Sequence, residues 1–557
     1  MSYSLRCKLW SRRSRDLITC CWRRYSMVQG STDAATSFPL CGSELDYTLQ
    51  SCKNNLARNT ELYKKHDEML SSMPLASTRK GVLSVPDRIA ALKDKDAYFL
   101  QLSEFAGMKM PYDKVPHANT LNVITKISGH PCFIIASNGS FKGGTIYPIT
   151  VKKSLRSHEI AQRNRIPCVH LVDSGGAYLP LQAEIFADSN MGGRGFRNQA
   201  VMSSMGIPQV TLVCGPCTAG GAYVPTMSDE AGMVHQLGTI YLAGPPLVKA
   251  ATGETVSQEE LGGAHVHCSI SGCTDHFAGT ELEGLEITRR VMATLNIKKN
   301  SVQPPVPSQA PRLPHSVEEF AALIPHDELE QLPVMEIIAR IFDGSEFQSF
   351  KGCYGNRLVT GFARLQGHTV GVLANNRLLG VEESLKGTHF VRMCSVREIP
   401  LVFLQNTPPD NEFLSSHGND GLTVKARAQM MAAVACSKVP KLTVILGGSY
   451  GPSSYAMCGP ALQPNFIFSW PHARVAINTP RNVTTAMSQQ TEVYQCDNME
   501  HITERLQLEE EAYNTSQYCY DDGVILPHNT REILSFCLEV CLTYPNDNTT
   551  QFGVTRM

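Results

Sequence analysis

Apolar residues along this chain gather in short runs. Cys132–Ala136, Val169–Val172 and Val210–Val213 are each too short for a helix and stop near Gly, Ser or Asp. Such runs predict buried β-strands. Between them lie stretches with helical periodicity: Val151–Asn164, Gly387–Val396 and Gly418–Ser437, with an amphipathic helix over Val334–Phe342. Strands alternating with helices predict an α/β protein. A further helix is predicted within Glu44–Met73, ahead of Pro74, and Tyr98–Phe105 reads as either helix or strand.

The pattern occurs twice. Ile166–Tyr178 (IPCVHLVDSGGAY) matches the segment from Ile399 to Pro409 (IPLVFLQNTPP) at an offset of 233. Ile207–Tyr223 (IPQVTLVCGPCTAGGAY) matches Val439–Tyr455 (VPKLTVILGGSYGPSSY) at an offset of 232. Two matched blocks at nearly one spacing indicate a duplicated domain, because a solenoid repeats every few tens of residues. In the first copy each strand runs into glycines. In the second, Pro408 and Pro409 replace Gly175 and Gly176, and Pro452 and Ser453 replace Gly220 and Gly221. Proline has no backbone N–H to donate.

Composition narrows the class. The 557 residues, 42% hydrophobic and 18% charged, describe an ordinary globular protein with room for several core-sized units. A net charge of −1 gives no support for nucleic acid as a partner. No apolar run reaches the roughly 18 residues of a membrane-spanning helix, so no membrane association is expected. The segment Met1–Met27 carries Arg6, Lys8, Arg12, Arg13, Arg15, Arg23 and Arg24 against the single acid Asp16, with serines between, the composition of a mitochondrial transit peptide. Many of the 19 cysteines, such as Cys132, Cys168, Cys436 and Cys541, sit in apolar runs, which suits buried thiols in a reducing compartment. Five prolines between Gln303 and Pro314 predict an extended linker. The expected division is therefore 1–27 transit segment, 45–302 first domain, 303–314 linker and 315–557 second domain.

Three glycine-rich turns in the first copy offer chemistry: Lys142-Gly143-Gly144, Ser174-Gly175-Gly176-Ala177 and Ala219-Gly220-Gly221-Ala222. None has the spacing of a phosphate loop. Amides exposed after strands and at helix starts are suited to an oxyanion, as on a thioester carbonyl becoming an enolate. Read bare, each turn is equally a tight link between packed elements; three in one domain favour a site. Ser174 lacks a Gly-x-Ser-x-Gly elbow and a partner histidine. Cys214 and Cys217 have dithiol spacing without the surrounding redox domain. Met108-Lys109-Met110 has the order of a biotinylated motif without the strand pattern of a biotin domain. His265, His267 and Cys268 lack zinc-ligand spacing and read as a strand or loop, so no metal is expected.

At these motifs the chain resembles the carboxyltransferase (beta) subunits of biotin-dependent acyl-CoA carboxylases, from about Leu75 to Tyr544. The resemblance rests on Lys142-Gly-Gly with Tyr147-Pro148, Asp173-Ser-Gly-Gly-Ala, Thr218-Ala-Gly-Gly-Ala-Tyr and Gly387-Thr-His-Phe. Tyr178-Leu-Pro-x-Gln182-Ala, Leu242–Glu254 and Leu404-Gln-Asn406 point to the methylcrotonoyl-CoA branch; the propionyl branch reads Arg at 178. The resemblance implies two duplicated crotonase-like (ClpP/crotonase) α/β domains of ββα units. It implies transfer of a carboxyl group from carboxybiotin to 3-methylcrotonoyl-CoA in leucine breakdown, in the mitochondrial matrix. The partners implied are an acyl-CoA, a biotin-carrying alpha subunit and further copies of this chain, as dimers or a hexamer core. Biotin is supplied in trans, with none attached to this chain. Released biotin enolate takes the substrate proton, so no protein base is needed.

The resemblance also assigns residues. Gly175 and Gly176 form the acyl-CoA oxyanion hole. Lys142, Gly143, Gly144, Ala177, Tyr178, Gly220, Gly221, Ala222, Lys249 and Ala250 bind the acyl-CoA; Leu181 stands where the family has Arg. Pro409, Asp410, Tyr450, Gly451 and Tyr455 form the biotin side. There the family's Thr-Gly-Phe-Met-Val-Gly has become Thr407-Pro-Pro-Asp-Asn-Glu412, its Gly-Ala-Gly-Asn-Tyr is Gly451-Pro-Ser-Ser-Tyr455, and its Met-Gly-Gly-Glu-Gln is Asn478-Thr-Pro-Arg-Asn482. Two readings follow: a working carboxyltransferase, or an impaired paralogue that binds acyl-CoA or carboxylase subunits without transfer.

Overall fold

The repeat in the sequence is a repeat in space. Among the described residues the strands form two sheets, one of eight strands and one of seven. The computed structural model describes residues 38–73, 75, 79, 81–297, 299–300, 315, 317–325, 331–409, 421–489 and 498–545. The expected transit segment and the 303–314 linker lie outside these residues.

In the first sheet, β1 (Leu100–Leu102), β2 (Thr120–Ile127), β3 (His130–Ser137), β4 (Cys168–Ser174), β5 (Gln209–Thr218), β6 (Glu230–Val234) and β8 (His276–Ala278) lie in that order, with β7 (Thr239–Tyr241) also on β5. β2 and β3 are an antiparallel hairpin, and β3, β4, β5 and β6 run parallel. The second sheet repeats the plan. β9 (Gln348–Ser349) flanks the hairpin of β10 (Leu358–Leu365) and β11 (His368–Asn375). The parallel strands β12 (Leu401–Thr407), β13 (Lys441–Tyr450) and β14 (Phe466–Ser469) follow, with β15 (Arg474–Ala476) on β13. β4 is buried along its whole length, as a central parallel strand covered on both faces must be. β10 alternates more nearly, with one face less deeply covered.

Helices cover both faces. α1 (Gln50–Ser71) precedes the first copy, and α2 (Val85–Leu92) packs with the later α6 (Glu281–Thr294) on one face of its sheet, through Ile89, Leu92, Leu285 and Met292. α3 (Pro148–Asn164) and α4 (Gly192–Ser204) contact one another and bring Ile160, Ala161 and Met202 to the other face. α5 (Pro245–Thr252) has no buried residue. α7 (Val334–Ile341) enters the second copy, where α8 (Val381–Val396) and α9 (Gly421–Cys436) pair over Leu373, Phe403 and Met430. α10 (Thr530–Thr543) closes the chain's core. One apolar cluster runs from Ile124 and Phe133 of the first sheet through Ile337, Val402 and Val444 to Leu534 and Val540. The two copies therefore share a core, and residues 40–557 are one compact unit.

Two predicted elements come out differently, and one ambiguous stretch resolves. Helix α8 begins ahead of Gly387, at Val381, where the Glu383 carboxylate accepts from the Gly380 amide at 3.0 Å. Gly387 lies inside the helix because a side chain there would come within 2.6 Å of Met430 on α9. Tyr98–Phe105 holds the short strand β1. His265–Cys268, read as strand or loop, is helical: Val266–Ile270 is a wide helical turn.

Candidate functional site

The parallel strands β3, β4 and β5 end at one edge, the customary place for a ligand in such sheets. There the three glycine turns meet. The Gly175 amide donates to Gly143 O at 2.8 Å, Ile146 N to Gly176 O at 2.9 Å, and Tyr178 N to Ile146 O at 2.8 Å. Ser174 lies opposite Cys217, and a side chain at Gly176 would stand 3.5 Å from Thr218 O. Gly144 is required by space and by backbone: its φ is +72°, and a Cβ would lie 2.0 Å from Asp173 O.

The donors sort themselves out in detail. Gly175 and Gly176, assigned above as the hole, direct their amides within the protein, to Gly143 O and to Ser174 Oγ at 3.2 Å. Ala177 is exposed, and its amide donates to no described residue. Ala219–Ala222 is a helical turn running into Tyr223–Thr226, and the first amides of such a turn have no acceptor within it. Phe196 of α4 comes within 3.9 Å of where a Gly220 side chain would begin, and its ring meets Tyr223 at 5.5 Å. Tyr112, Tyr147 and Tyr178 stack in a row, with centroids 5.7 and 4.7 Å apart. Lys142 is held by Asp113, which raises the lysine above its ordinary value. Lys249 and Ala250 lie exposed on α5, just beyond β7, whose Tyr241 pairs with Thr218.

The second copy reproduces the scaffold with other donors. Thr407 of β12 lies opposite Ser449 of β13, as Ser174 lies opposite Cys217. Pro408 and Pro409 follow, half-buried and without N–H groups. Asp410 lies outside the described residues. The Gly451 amide donates to Ala476 O at 3.0 Å, and Tyr450 is buried with its hydroxyl on Glu510 at 3.0 Å. Pro452 has no donor either. Gly451 and Tyr455 line a cleft of about 1120 Å³, whose far wall carries Arg156 and Arg163 of α3 and Arg194 and Arg197 of α4. None of the three glycine turns lines it.

The other candidates resolve into structure. Cys214 and Cys217 are fully buried, and burial pushes the Cys214 thiol up to about 12 and Cys217 higher still, the reverse of a reactive dithiol. Ser174 Oγ donates to Gly144 O at 2.8 Å and pins the turn. His267 faces Ile240 O at 2.8 Å, and Cys268 lies 3.0 Å from Thr274 Oγ1. No cluster among the described residues has the makeup of a metal site. The described cysteines are free thiols. No helix among the described residues is long and apolar enough to cross a membrane.

Sequence reasoning missed a buried ionic group beneath the turns. Asp173 bonds Arg88 at 3.3 Å and Arg79 at closer range, and Arg88 also holds Glu281. Asp173 was visible only as part of a motif. Its two arginines come from far upstream in the chain and Glu281 from far downstream, separations with no local signature.

Comparison with known proteins agrees with this architecture. The family model "Carboxyl transferase domain" matches residues 76–554. The mitochondrial methylcrotonoyl-CoA carboxylase beta chain of Arabidopsis thaliana is 46% identical over 487 residues, 85% of this chain and 82% of that protein. Its namesake in Dictyostelium discoideum is 41% identical over 555 residues, 95% and 93%. The biotin-dependent 3-methylcrotonyl-coenzyme A carboxylase beta1 subunit of Mycobacterium tuberculosis is 44% identical over 490 residues, 86% and 92%. Among solved structures, the beta subunit of P. aeruginosa geranyl-CoA carboxylase superposes with a TM-score of 0.81 at 35% identity, covering 93% of this chain and 100% of that one.

Proposed function

This chain belongs to the carboxyl transferase domain family, and from that premise we propose that it is the carboxyltransferase component of a biotin-dependent acyl-CoA carboxylase acting on 3-methylcrotonoyl-CoA. The observation that carries the acyl-CoA side is the meeting of three glycine turns at the ends of β3, β4 and β5. The thioester oxygen sits between the Gly175–Ala177 turn and the Ala219–Ala222 turn. Ala177 and the first amides of the Ala219–Ala222 turn donate to it, and Gly175 and Gly176 shape the approach. Fixed amides stabilise the charge that develops there without reorganising. Tyr178 and the Lys142-Gly143-Gly144 turn flank the acyl group, and Lys249 and Ala250 extend the surface toward the CoA. Residues 45–302 form the acyl-CoA domain and 315–557 the biotin domain.

Biotin reaches this chain on a separate alpha subunit, and the chain assembles with further copies of itself. The mitochondrial names of the Arabidopsis and Dictyostelium relatives and the basic segment Met1–Met27 support the matrix as its compartment. One observation favours a second reading, in which the acyl-CoA is bound and transfer is impaired. Pro409 stands at the biotin-side turn and lacks an amide proton. The deciding experiment purifies the chain with its biotinylated alpha subunit and measures ATP-dependent fixation of bicarbonate onto 3-methylcrotonoyl-CoA. Turnover at the level of an intact relative supports the first reading. Binding of the CoA ester without turnover supports the second, and absence of both removes the acyl-CoA site.

A further inference from the structure

We propose that Asp173 is the positioning residue that sets the three glycine turns against one another, and that its clamp by Arg88 and Arg79 is what holds it there. This rests on the acyl-CoA reading of those turns. Asp173 occupies the irregularity where the β4–β5 pairing slips between Val172 and Ser174. Its carboxylate fills the space that side chains at two glycines would take. A Cβ on Gly139, just before the first turn, would meet it at 2.2 Å, and one on Gly215, just before the third, at 2.2 Å. Its carbonyl fills the space beside Gly144, and the next residue begins the second turn. One residue thus touches the approach to all three.

The clamp comes from elsewhere in the chain. Arg88 on α2 is 1% exposed and bonds both Asp173 and Glu281, and Glu281 accepts from the Leu83 amide at 3.0 Å. Arg79, a third exposed, joins from the rim. Both arginines reach Oδ2, and Oδ1 has no hydrogen-bond donor among the described residues. A buried carboxylate oxygen is left bare at a cost in free energy, which the two cations offset.

The duplication supplies an internal comparison. At the equivalent irregularity in the second copy stands Asn406, which the repeat aligns with Asp173. Its side chain also presses on a glycine, Gly447, where a Cβ would lie 2.7 Å from Oδ1. There the group is neutral and satisfied locally: it accepts from Gly448 N at 2.8 Å and donates to Asn376 at 2.9 Å. The same post is built twice. Only in the copy with intact glycine turns is it charged and tied to distant arginines.

Asp173→Asn tests this, since the second copy shows that the fold accepts an amide at the post. The first probe is 3-methylcrotonoyl-CoA labelled at the thioester carbonyl, bound to the full chain and read by its infrared C=O stretch. The second is carboxylation by the complex with the alpha subunit. The wild-type chain is expected to move the bound C=O band to lower wavenumber. Asp173→Asn loses at least about half of that movement, lowers kcat about tenfold or more, and leaves KM within about threefold. Arg79→Gln, at the rim, shifts the band in the same direction by less and covers the case in which Asp173→Asn does not fold. A full band shift with unchanged kcat in either folded variant overturns the inference, as does a rise in KM with kcat unchanged. Absence of any shift in the wild-type chain overturns the acyl-CoA reading itself, and this inference with it.

Discussion

Gly144 and Pro409 mark opposite ends of one problem, the placing of backbone amides. At Gly144 a Cβ would meet Asp173 O at 2.0 Å, with φ at +72°. Gly144→Ala is expected to cost about 2 kcal/mol or more, from strain and overpacking together. Urea unfolding measures this as a lower midpoint at unchanged slope. At Pro409 the missing group is the amide proton itself. Pro409→Gly is expected to raise bicarbonate fixation by roughly tenfold or more, toward the ~10² that one oxyanion donor is worth. An unchanged rate would mean that this turn does not limit transfer. Both residues were legible in the sequence, because proline and a paired glycine state their backbone chemistry in one letter. That the Ala177 amide is left without an acceptor among the described residues was not. It depends on the parallel pairing of Ile146 with Ala177, which only the folded turns create.

At the scale of elements, periodicity found most strands and helices and placed the start of α8 six residues late. The helical stretch read from the sequence began at Gly387. Gly387 stands inside α8 because Met430 of α9 leaves no room for a side chain. Contacts between elements carry their own prediction. Arg156 on α3 of the first copy bonds Asp522 of the second copy's extension through two nitrogens, each at 2.8 Å, and Asp522 also accepts from Ile467 N. Arg156 is 17% exposed and Asp522 1%. Arg156→Ala leaves a buried carboxylate unpaired and is expected to cost about 3 kcal/mol. A double-mutant cycle with Asp522→Asn measures the coupling, and additive effects would show that the bond does not tie the copies.

Across the whole molecule, burial sets the response to acid. Burial holds His66, His117 and His158 down to about 4 and His170 to about 3. Each folded value lies below the unfolded one near 6.5, so each contribution is intact above about 6.5 and is lost as pH falls toward 4. Two buried acids oppose this. Burial raises Glu104 to about 7 and Asp521 to about 6, so the folded state takes up their protons first. His130 and His368 are lowered in the same direction, so the histidines outweigh the two acids and unfolding takes up protons between about pH 4.5 and 6, each worth roughly 1.4 kcal/mol per pH unit at most. The urea midpoint is therefore expected to be lower at pH 5 than at pH 7.5. An equal or higher midpoint at pH 5 would show that these histidines are not held neutral.

The sequence by itself determined the duplication, the α/β class, the strand-to-glycine junctions and the loss of donors in the second copy. These are local properties: apolar run length, the freedom of glycine and the missing proton of proline act through neighbours in the chain. The tertiary structure decided what lies together across long separations. It fused the two copies through one core, brought Arg79, Arg88 and Glu281 to Asp173, and gave the Gly175 and Gly176 amides acceptors within the protein. No short-range pattern encodes those contacts, because they exist only where packing excludes water from groups far apart along the chain.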